Sequence, residues 1–216
     1  MGRWGFFISI EGPEGSGKST LTSGIIKYLE SKGYQVVYTR EPGGTPTGEM
    51  IREVLLRGSE DMNPMTEAFL FLAARRENVV RNILPALRSG KVVVCDRYTD
   101  STIAYQGYGR GLPIKILRRL NKLATLGVKP DLTLVIDVNP EKGFERINGK
   151  DLDRIEREAM EFHTRVREGY VKLAKISGRR VKLLDGSKPP KEIQKEAISL
   201  IIDRMKEKGK LRGEEI

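Results

Sequence analysis

Residues 12–20, Gly-Pro-Glu-Gly-Ser-Gly-Lys-Ser-Thr, carry the strongest chemical signal in the chain. Gly12 and Gly17 are separated by four residues and followed by Lys18 and Ser19, which is the spacing of a phosphate-binding loop. In such a loop the backbone N–H groups surround one anion, and the helix that follows adds the positive end of its dipole. Lys18 is then expected to reach the β- and γ-phosphates, and the Ser19 hydroxyl to bind Mg²⁺. The alternative is an ordinary strand–turn–helix, and a chance match is on the order of one per cent at average composition.

Two further groups of residues directly follow predicted strands. Arg40 lies in residues 39–45, a loop rich in Pro and Gly, where a cation can reach a second anion near the first. Asp96 and Arg97 follow the apolar residues 92–95; the acid is placed to hold Mg²⁺, and the guanidinium can grip a phosphate. The alternatives are a plain turn with a solvated arginine at position 40 and a structural ion pair between Asp96 and Arg97.

Two other groups lie on or beside predicted helices. Phe71 and Arg75 are four residues apart, so on a helix they share a face and could stack on a base and hydrogen-bond its edge. Their alternative is a core phenylalanine beside a solvated arginine. Residues 146–156 are densely charged and contain Asn148-Gly149, which suits a lid that closes over phosphates. Their alternative is an exposed loop with balanced charge.

The composition narrows the class of protein. The chain has 216 residues, 38% hydrophobic and 31% charged, and no apolar run approaches a membrane span of about eighteen residues. A single cysteine, Cys95, excludes an internal disulfide and fits a reducing cytoplasm. The formal net charge is +10, but basic residues alternate with acidic ones, especially over residues 141–161, as on solvated helix faces. We therefore expect a cytoplasmic protein without nucleic-acid or membrane partners.

Apolar runs and helix-like periods alternate along the whole chain. Short apolar or β-branched runs predict strands at residues 6–10, 35–39, 91–95, 132–138 and 180–184. Helical patterns, each closed by a glycine, occupy residues 18–32, 47–57, 66–89, 113–126, 153–176 and 190–208. This order predicts an α/β fold, a doubly wound parallel sheet with helices on both faces and ligands at the carboxyl ends of the strands. We expect one domain over residues 1–216, with a charged tail at about 208–216.

Taken together, the motifs resemble the thymidylate kinase family over residues 5–205, in family order and spacing. The phosphate loop alone is shared by many nucleotide-binding proteins, whereas the combination is highly specific. The segments that carry the resemblance are Ile10–Ser19 read as IEGPEGSGKS, residues 39–44 as TREPGG, residues 71–75 as FLAAR, residues 96–98 as DRY and residues 152–156 as LDRIE.

The resemblance implies phosphoryl transfer from ATP to dTMP, giving ADP and dTDP, with Mg²⁺, on the five-stranded nucleoside monophosphate kinase fold with a lid. By resemblance, Phe71 stacks on thymine, Arg75 donates to its carbonyl edge, and Thr102 faces the N3 edge. Arg97 and Arg40 hold the 5′-phosphate. By the same resemblance, Glu14 lies near the 3′-hydroxyl and Tyr105 against the 2′ position of the sugar. Ser19 and Asp96 are the implied metal ligands. The implied ATP-binding residues are Gly12, Pro13, Glu14, Gly15, Ser16, Gly17, Lys18, Ser19 and Thr20.

The source of the catalytic cations separates subtypes of the family. Some members carry an arginine inside the phosphate loop, but residues 13–16 here contain none. Similar enzymes without it supply cations from the lid, so besides Lys18 and Arg97 the catalytic candidates are Arg146, Lys150 and Arg154. No nucleophilic side chain is needed, because the acceptor is already a phosphate oxygen; catalysis is alignment and charge neutralisation.

Competing functions stay open at this level. A deoxynucleoside kinase or another monophosphate kinase is the nearest alternative, although a nucleoside kinase needs a carboxylate base where this chain offers Arg40 and Arg97. A regulatory phosphate-loop protein is the alternative outside enzymes. The family resemblance also implies a homodimer.

Overall fold

The computed structural model describes residues 4–147 and 151–211. Its centre is a five-stranded, all-parallel sheet in the order β2-β3-β1-β4-β5. The strands are β1 (Phe6–Glu11), β2 (Val36–Arg40), β3 (Val92–Asp96), β4 (Leu132–Asp137) and β5 (Val181–Asp185). The α/β fold class is confirmed, and each strand begins and ends within one residue of its predicted bounds. Strand β1 lies in the middle, so the loop that follows it opens at the centre of the carboxyl edge.

The three central strands, β1, β3 and β4, are buried on both faces almost throughout, in keeping with their continuous apolar runs. Along β1, Phe6, Ile8 and Ile10 point to one layer of helices, and Phe7 points to the other. The helices are α1 (Lys18–Ser31), α2 (Pro46–Arg57), α3 (Pro64–Asn78), α4 (Leu84–Arg88), α5 (Thr99–Thr102), α6 (Ile114–Ala124), α7 (Pro140–Ile147), α8 (Met160–Ile176) and α9 (Pro190–Glu207). Helices α1 and α9 cover the first face, and the α3–α4 region covers the second.

The helical segment predicted at residues 66–89 differs from the structure in its interior. Helix α3 begins at Pro64, because the Asn63 side chain accepts the Met65 N–H at 2.9 Å. It continues through a π-helical stretch, Val79–Ile83, into α4. A second π-helical stretch, Ile103–Gly109, follows α5, and neither it nor α5 was predicted.

The predicted helix at 153–176 is wrong in its first turns, because α8 begins only at Met160. Asp153 Oδ1 accepts the backbone N–H groups of Ile155 and Glu156 at 2.8 and 2.9 Å. This local side-chain bonding closes a turn and competes with helix at the same residues. Helix α7 was also missed.

No helix in the described ranges, 4–147 and 151–211, is long and apolar enough to span a membrane. Of the predicted tail, residues 212–216 lie outside the described part of the chain.

Candidate active site

The glycine-rich loop joins β1 to α1 as its spacing predicts. Gly17 adopts a left-handed conformation, φ 93°, and caps the N-terminus of α1. Lys18 Nζ lies over its own loop and donates to Pro13 O at 2.8 Å and Gly12 O at 3.1 Å. Burial and the neighbouring Arg97 lower the pKa of Lys18 to about 8. The loop thus holds an ammonium group at the centre of the carboxyl edge, where a phosphate can exchange with the carbonyl contacts.

Helix α7 packs directly on the loop. A Cβ on Gly15 would lie 1.9 Å from Gly143 O, and a Cβ on Gly143 would lie 2.3 Å from Glu14 O, so both positions require glycine. This contact brings Arg146, in the last turn of α7, over the loop. Its guanidinium donates to Gly186 O at 3.0 Å and Gly15 O at 3.4 Å.

Two cavities open at this edge of the sheet. The larger, about 790 Å³, is lined by the loop from Glu14 to Leu21, by Asp96 and by Arg146. The smaller, about 150 Å³, is lined by side chains from α3 and the segment after β3, among others Phe71, Arg75, Thr102 and Tyr105. Five residues line both cavities: Glu14, Glu41, Arg52, Arg97 and Glu156. The cavities therefore meet at a boundary rich in charged side chains.

Arg97 lies at that boundary in a constrained conformation. Its backbone φ is +66°, which is uncommon for a residue other than glycine and favours a functional position. Its guanidinium donates to Glu14 Oε1 at 2.5 Å and Gly12 O at 3.0 Å, and it lies 4.9 Å from the centre of the Tyr105 ring. The structure thus joins the phosphate loop to two residues predicted to bind the substrate.

Glu14 is held ionised by the same cluster. Burial would raise its pKa, but Arg97, Lys18 and the Tyr105 hydroxyl together lower it to about 2. Tyr105 Oη donates to Glu14 Oε1 at 2.7 Å. At neutral pH the cluster therefore contains a carboxylate between two cations.

Arg75 is buried, with 1% of its surface exposed, so the alternative of a solvated arginine is wrong. Its guanidinium donates to Glu41 Oε2 at 2.6 Å, Thr102 Oγ1 at 2.6 Å, Asn121 Oδ1 at 2.5 Å and Tyr98 O at 2.9 Å. These contacts use four of the five N–H donors of an arginine, and the group still borders the smaller cavity. Phe71 is half-buried on the same helix and borders that cavity too.

Arg40 borders only the larger cavity and is half-exposed. Its Nη2 donates to Glu49 Oε2 at 3.0 Å, and the other carboxylate oxygen of Glu49 accepts the Gly44 N–H at 2.9 Å. Arg52, on the next turn of α2, donates to Pro42 O at 3.0 Å and borders both cavities. Arg52 is therefore a second arginine, beside Arg97, at the boundary between the cavities. The sequence motifs did not indicate it.

The predicted metal ligands lie at the same cavity. Asp96 Oδ1 is buried and has no hydrogen-bond partner among the described residues, and Ser19 borders the cavity that Asp96 lines. A buried carboxylate oxygen without a partner is suited to a hard cation or to its bound water. The described residues contain no cluster of three or more His, Cys, Asp or Glu that would form a separate metal site.

Arg154 is not at the phosphates in this structure, which corrects the prediction that groups it with the lid cations. Its side chain is 1% exposed, and it donates to Glu67 Oε2 at 2.6 Å and Leu55 O at 2.9 Å. Its neighbours Asp153, Ile155 and Glu156 border the smaller cavity, so Arg154 projects the other way, into the α2–α3 packing. Lys150, the third predicted lid cation, lies outside the described residues.

Sequence reasoning missed three residues at or beside the site. Arg52 carries no motif signal of its own, and Glu156 appears in the sequence only as the last residue of the segment 152–156, with no role assigned to it. Glu11 was noticed only as part of a motif, although it is a charged residue ending an apolar strand. It is fully buried, and burial, aided by Asp100, raises its pKa to about 7 against the lowering effect of Ser101 and Arg97.

Comparison with known proteins shows which family the chain is similar to. The family model described as thymidylate kinase matches residues 10–197. The thymidylate kinase of Symbiobacterium thermophilum is 48% identical over 196 residues, covering 90% of this chain and 92% of the relative. That of Pelotomaculum thermopropionicum is 53% identical over 190 residues, covering 87% and 88%. The crystal structure of thymidylate kinase from Ehrlichia chaffeensis has a TM-score of 0.75 at 36% identity, covering 92% of this chain and 99% of that one.

Proposed function

The chain belongs to the thymidylate kinase family and phosphorylates dTMP to dTDP with ATP, and we propose that its two joined cavities divide these substrates. ATP occupies the larger cavity, with its phosphates on the loop of residues 12–20. The dTMP nucleoside occupies the smaller one, and its phosphate lies at the shared boundary. The observation that carries this assignment is the boundary between the cavities. There Arg97 contacts both the phosphate loop and the ring of Tyr105, which lines the smaller cavity.

The acceptor phosphate is held by arginines. Arg97 and Arg40 provide planar donor groups from two neighbouring strand ends, and Arg52 adds a third cation that lines the same cavity. In the smaller cavity Phe71 stacks on the base, while Arg75 and Thr102 supply polar groups at its edge. Holding an anionic acceptor in line with the donor phosphate supplies most of the catalysis, since no proton has to be removed from the nucleophile.

Mg²⁺ fits the residues at the loop. Ser19 supplies a hydroxyl and Asp96 an unpartnered carboxylate oxygen, which are oxygen ligands of the kind a hard cation prefers. When bound, the ion neutralises charge on the donor phosphates. Lys18 and Arg97 supply the protein's own positive charge beside it.

A substrate panel tests this function. Purified protein with Mg-ATP would be offered dTMP, dUMP, dCMP, dGMP, UMP and thymidine, with ADP release measured for each. We expect the highest catalytic efficiency for dTMP and little release with thymidine. Preference for thymidine would favour a nucleoside kinase, and absence of turnover with every acceptor would favour a regulatory protein.

Replacing Tyr105 tests how the site recognises deoxyribose. If the ring excludes a 2′-hydroxyl, Tyr105→Ala should relax discrimination against the ribonucleotide form of dTMP. Tyr105→Phe is the matched control, because it keeps the ring and removes only the hydroxyl that bonds Glu14. The measurement is the ratio of catalytic efficiencies for the two nucleotides. An unchanged ratio in Tyr105→Ala would show that the ring only packs.

Of the three predicted lid cations, Arg146 lies against the phosphate loop in the part of the chain that the structure describes. There its guanidinium donates to the backbone carbonyls of Gly15 and Gly186 and pairs with no carboxylate. We expect Arg146→Ala to lower turnover by about tenfold or more with little change in either binding constant, since the contact strengthens as charge develops. Lys150→Ala and the double variant would show whether the two share the role. Arg157→Ala is the control, because Arg157 pairs with exposed Glu60. Near-normal turnover in the double variant would contradict catalysis from the lid.

Three further expectations belong to the same proposal. The enzyme is one domain with a lid near residues 146–156, it works in the cytoplasm, and it forms a homodimer. The exposed apolar side chains Met50, Phe69, Val80 and Leu123 on α2, on the α3–α4 region and on α6 support a self-associating face. Sedimentation equilibrium would measure the assembly state, and a monomer at micromolar concentration would contradict the homodimer.

A further inference from the structure

A buried acid, Glu11, lies at the carboxyl end of β1 beneath the active site. Its Oε1 accepts the Tyr98 N–H at 2.8 Å and the Ser9 hydroxyl at 3.2 Å. Its Oε2 accepts the Ser101 hydroxyl at 2.5 Å and contacts the Tyr170 hydroxyl at 3.1 Å. The side chain is fully buried and borders neither cavity. Four contacts with hydrogen-bond donors saturate a carboxylate, so the group is held in one orientation.

The contacts of Glu11 surround the residue that joins the two cavities. Arg97 has a left-handed backbone, which a residue other than glycine keeps only where its surroundings enforce it. Its own N–H donates to Ile10 O at 2.9 Å, and the next N–H, that of Tyr98, donates to Glu11. The two amides on either side of the Arg97 dihedral angles are therefore both fixed to the end of β1, one by a backbone carbonyl and one by a carboxylate. The Cys95 thiol adds a contact to Arg97 O at 3.0 Å.

Glu11 also reaches the Arg97 side chain through one intermediary. The Tyr170 hydroxyl lies 3.1 Å from Glu11 Oε2 and accepts from Arg97 Nη1 at 3.4 Å. Tyr170 is 1% exposed and forms an edge contact with the Tyr105 ring. One carboxylate thus constrains both the backbone and the guanidinium of Arg97.

We propose that Glu11 is a positioning residue that aims Arg97 at the phosphate of the acceptor nucleotide. The proposal rests on the function given above, in which Arg97 holds that phosphate. Glu11 itself touches no substrate; it acts by fixing the turn after β3 and the hydroxyl of Tyr170. A purely structural role would stabilise the sheet without affecting how strongly the phosphate of the nucleotide is recognised.

The test compares binding of dTMP with binding of thymidine, which has the same base and sugar without the phosphate. Glu11→Met keeps the length of the side chain and removes every acceptor. We expect it to lower the ratio of dTMP affinity to thymidine affinity by about tenfold, the size typical of losing one charge-assisted contact. Glu11→Gln retains an acceptor for the Tyr98 N–H and should restore most of the ratio. Both affinities are measured by titration calorimetry.

A matched control is available at the other end of β1. Asp131 Oδ2 accepts the Phe7 N–H at 3.0 Å, so Asp131→Leu removes a comparable carboxylate contact far from the site. It should lower the thermal midpoint and leave the affinity ratio unchanged. If Glu11→Met does not fold, Tyr170→Phe removes only the hydroxyl between Glu11 and Arg97 and should lower the ratio in the same direction.

Arg97→Ala distinguishes the positioning role of Glu11 from the phosphate-binding role of Arg97. If it lowers the ratio while folded Glu11→Met and Tyr170→Phe do not, the positioning role is overturned and the phosphate-binding role of Arg97 stands. If Arg97→Ala leaves the ratio unchanged, the phosphate-binding role fails, and the positioning role fails with it. The proposal is supported if the ratio of dTMP affinity to thymidine affinity falls in Glu11→Met, Tyr170→Phe and Arg97→Ala and does not change in Asp131→Leu.

Discussion

Replacement of Lys18 by alanine is expected to lower turnover by about 10³-fold or more, because the lost charge acts on the transferring phosphoryl group. Among the residues that the structure describes, the Lys18 side chain bonds only its own loop, through Gly12 O, Pro13 O and Ser16 Oγ, so the fold should not depend on it. Steady-state turnover with saturating Mg-ATP and dTMP measures the effect, and circular dichroism checks the fold.

Lys27→Ala provides the matched control for that experiment. Lys27 lies on the exposed side of the same helix, α1, and its loss removes the same charge without reaching the loop. We expect its turnover to match that of the unsubstituted enzyme. A folded Lys18→Ala variant with the same turnover as Lys27→Ala would contradict the assignment of the phosphate loop.

Replacement of Arg75 by alanine is expected to affect both stability and dTMP binding. Glu41, 2.6 Å away, would be left buried without its cation, and breaking such a pair costs about 3–5 kcal/mol of unfolding free energy. Burial raises the pKa of Glu41 above its ordinary value even with Arg75 beside it. The loss of stability should therefore be largest at high pH and shrink as the pH falls and Glu41 takes up a proton. Denaturant titrations at several pH values measure it.

The double variant Arg75→Met with Glu41→Gln separates stability from recognition. It removes both charges, so much of the stability should return, whereas the donor to the base edge stays absent. We therefore expect the apparent Michaelis constant for dTMP to be raised far more than that for ATP, both in Arg75→Ala and in the double variant. Equal changes in the two constants would show that Arg75 serves the fold alone.

The surroundings of Arg75 depend on tertiary contacts. The spacing of Phe71 and Arg75 alone is compatible with a base-binding pair or with a core phenylalanine beside a solvated arginine. Arg75 is instead a buried hub that joins α3 to residues 41, 98, 102 and 121. Four partners spread over some eighty residues of sequence cannot be read from a local pattern, because each contact depends on how separate elements pack.

The sequence by itself determined the features that depend on neighbours along the chain. The phosphate loop follows from the spacing of Gly12, Gly17 and Lys18, and the buried parallel strands follow from continuous apolar runs. The prediction that ligands bind at the carboxyl edge of the sheet then rests on connectivity alone. Even there, local bonding overrides the helical pattern after residue 153, where the Asp153 carboxylate forms a turn in place of the first turns of a helix.

Only the tertiary structure decided which way charged side chains face. Arg154 was grouped with Arg146 by charge and position in the lid, yet Arg146 lies on the phosphate loop and Arg154 is buried against Glu67. Sequence spacing within an irregular segment does not fix a side chain's direction, because no helical or strand period applies there. For a buried ionisable group the direction depends on a partner far along the chain, as Glu67 is for Arg154 and Tyr98 for Glu11, since burial without that partner would be too costly.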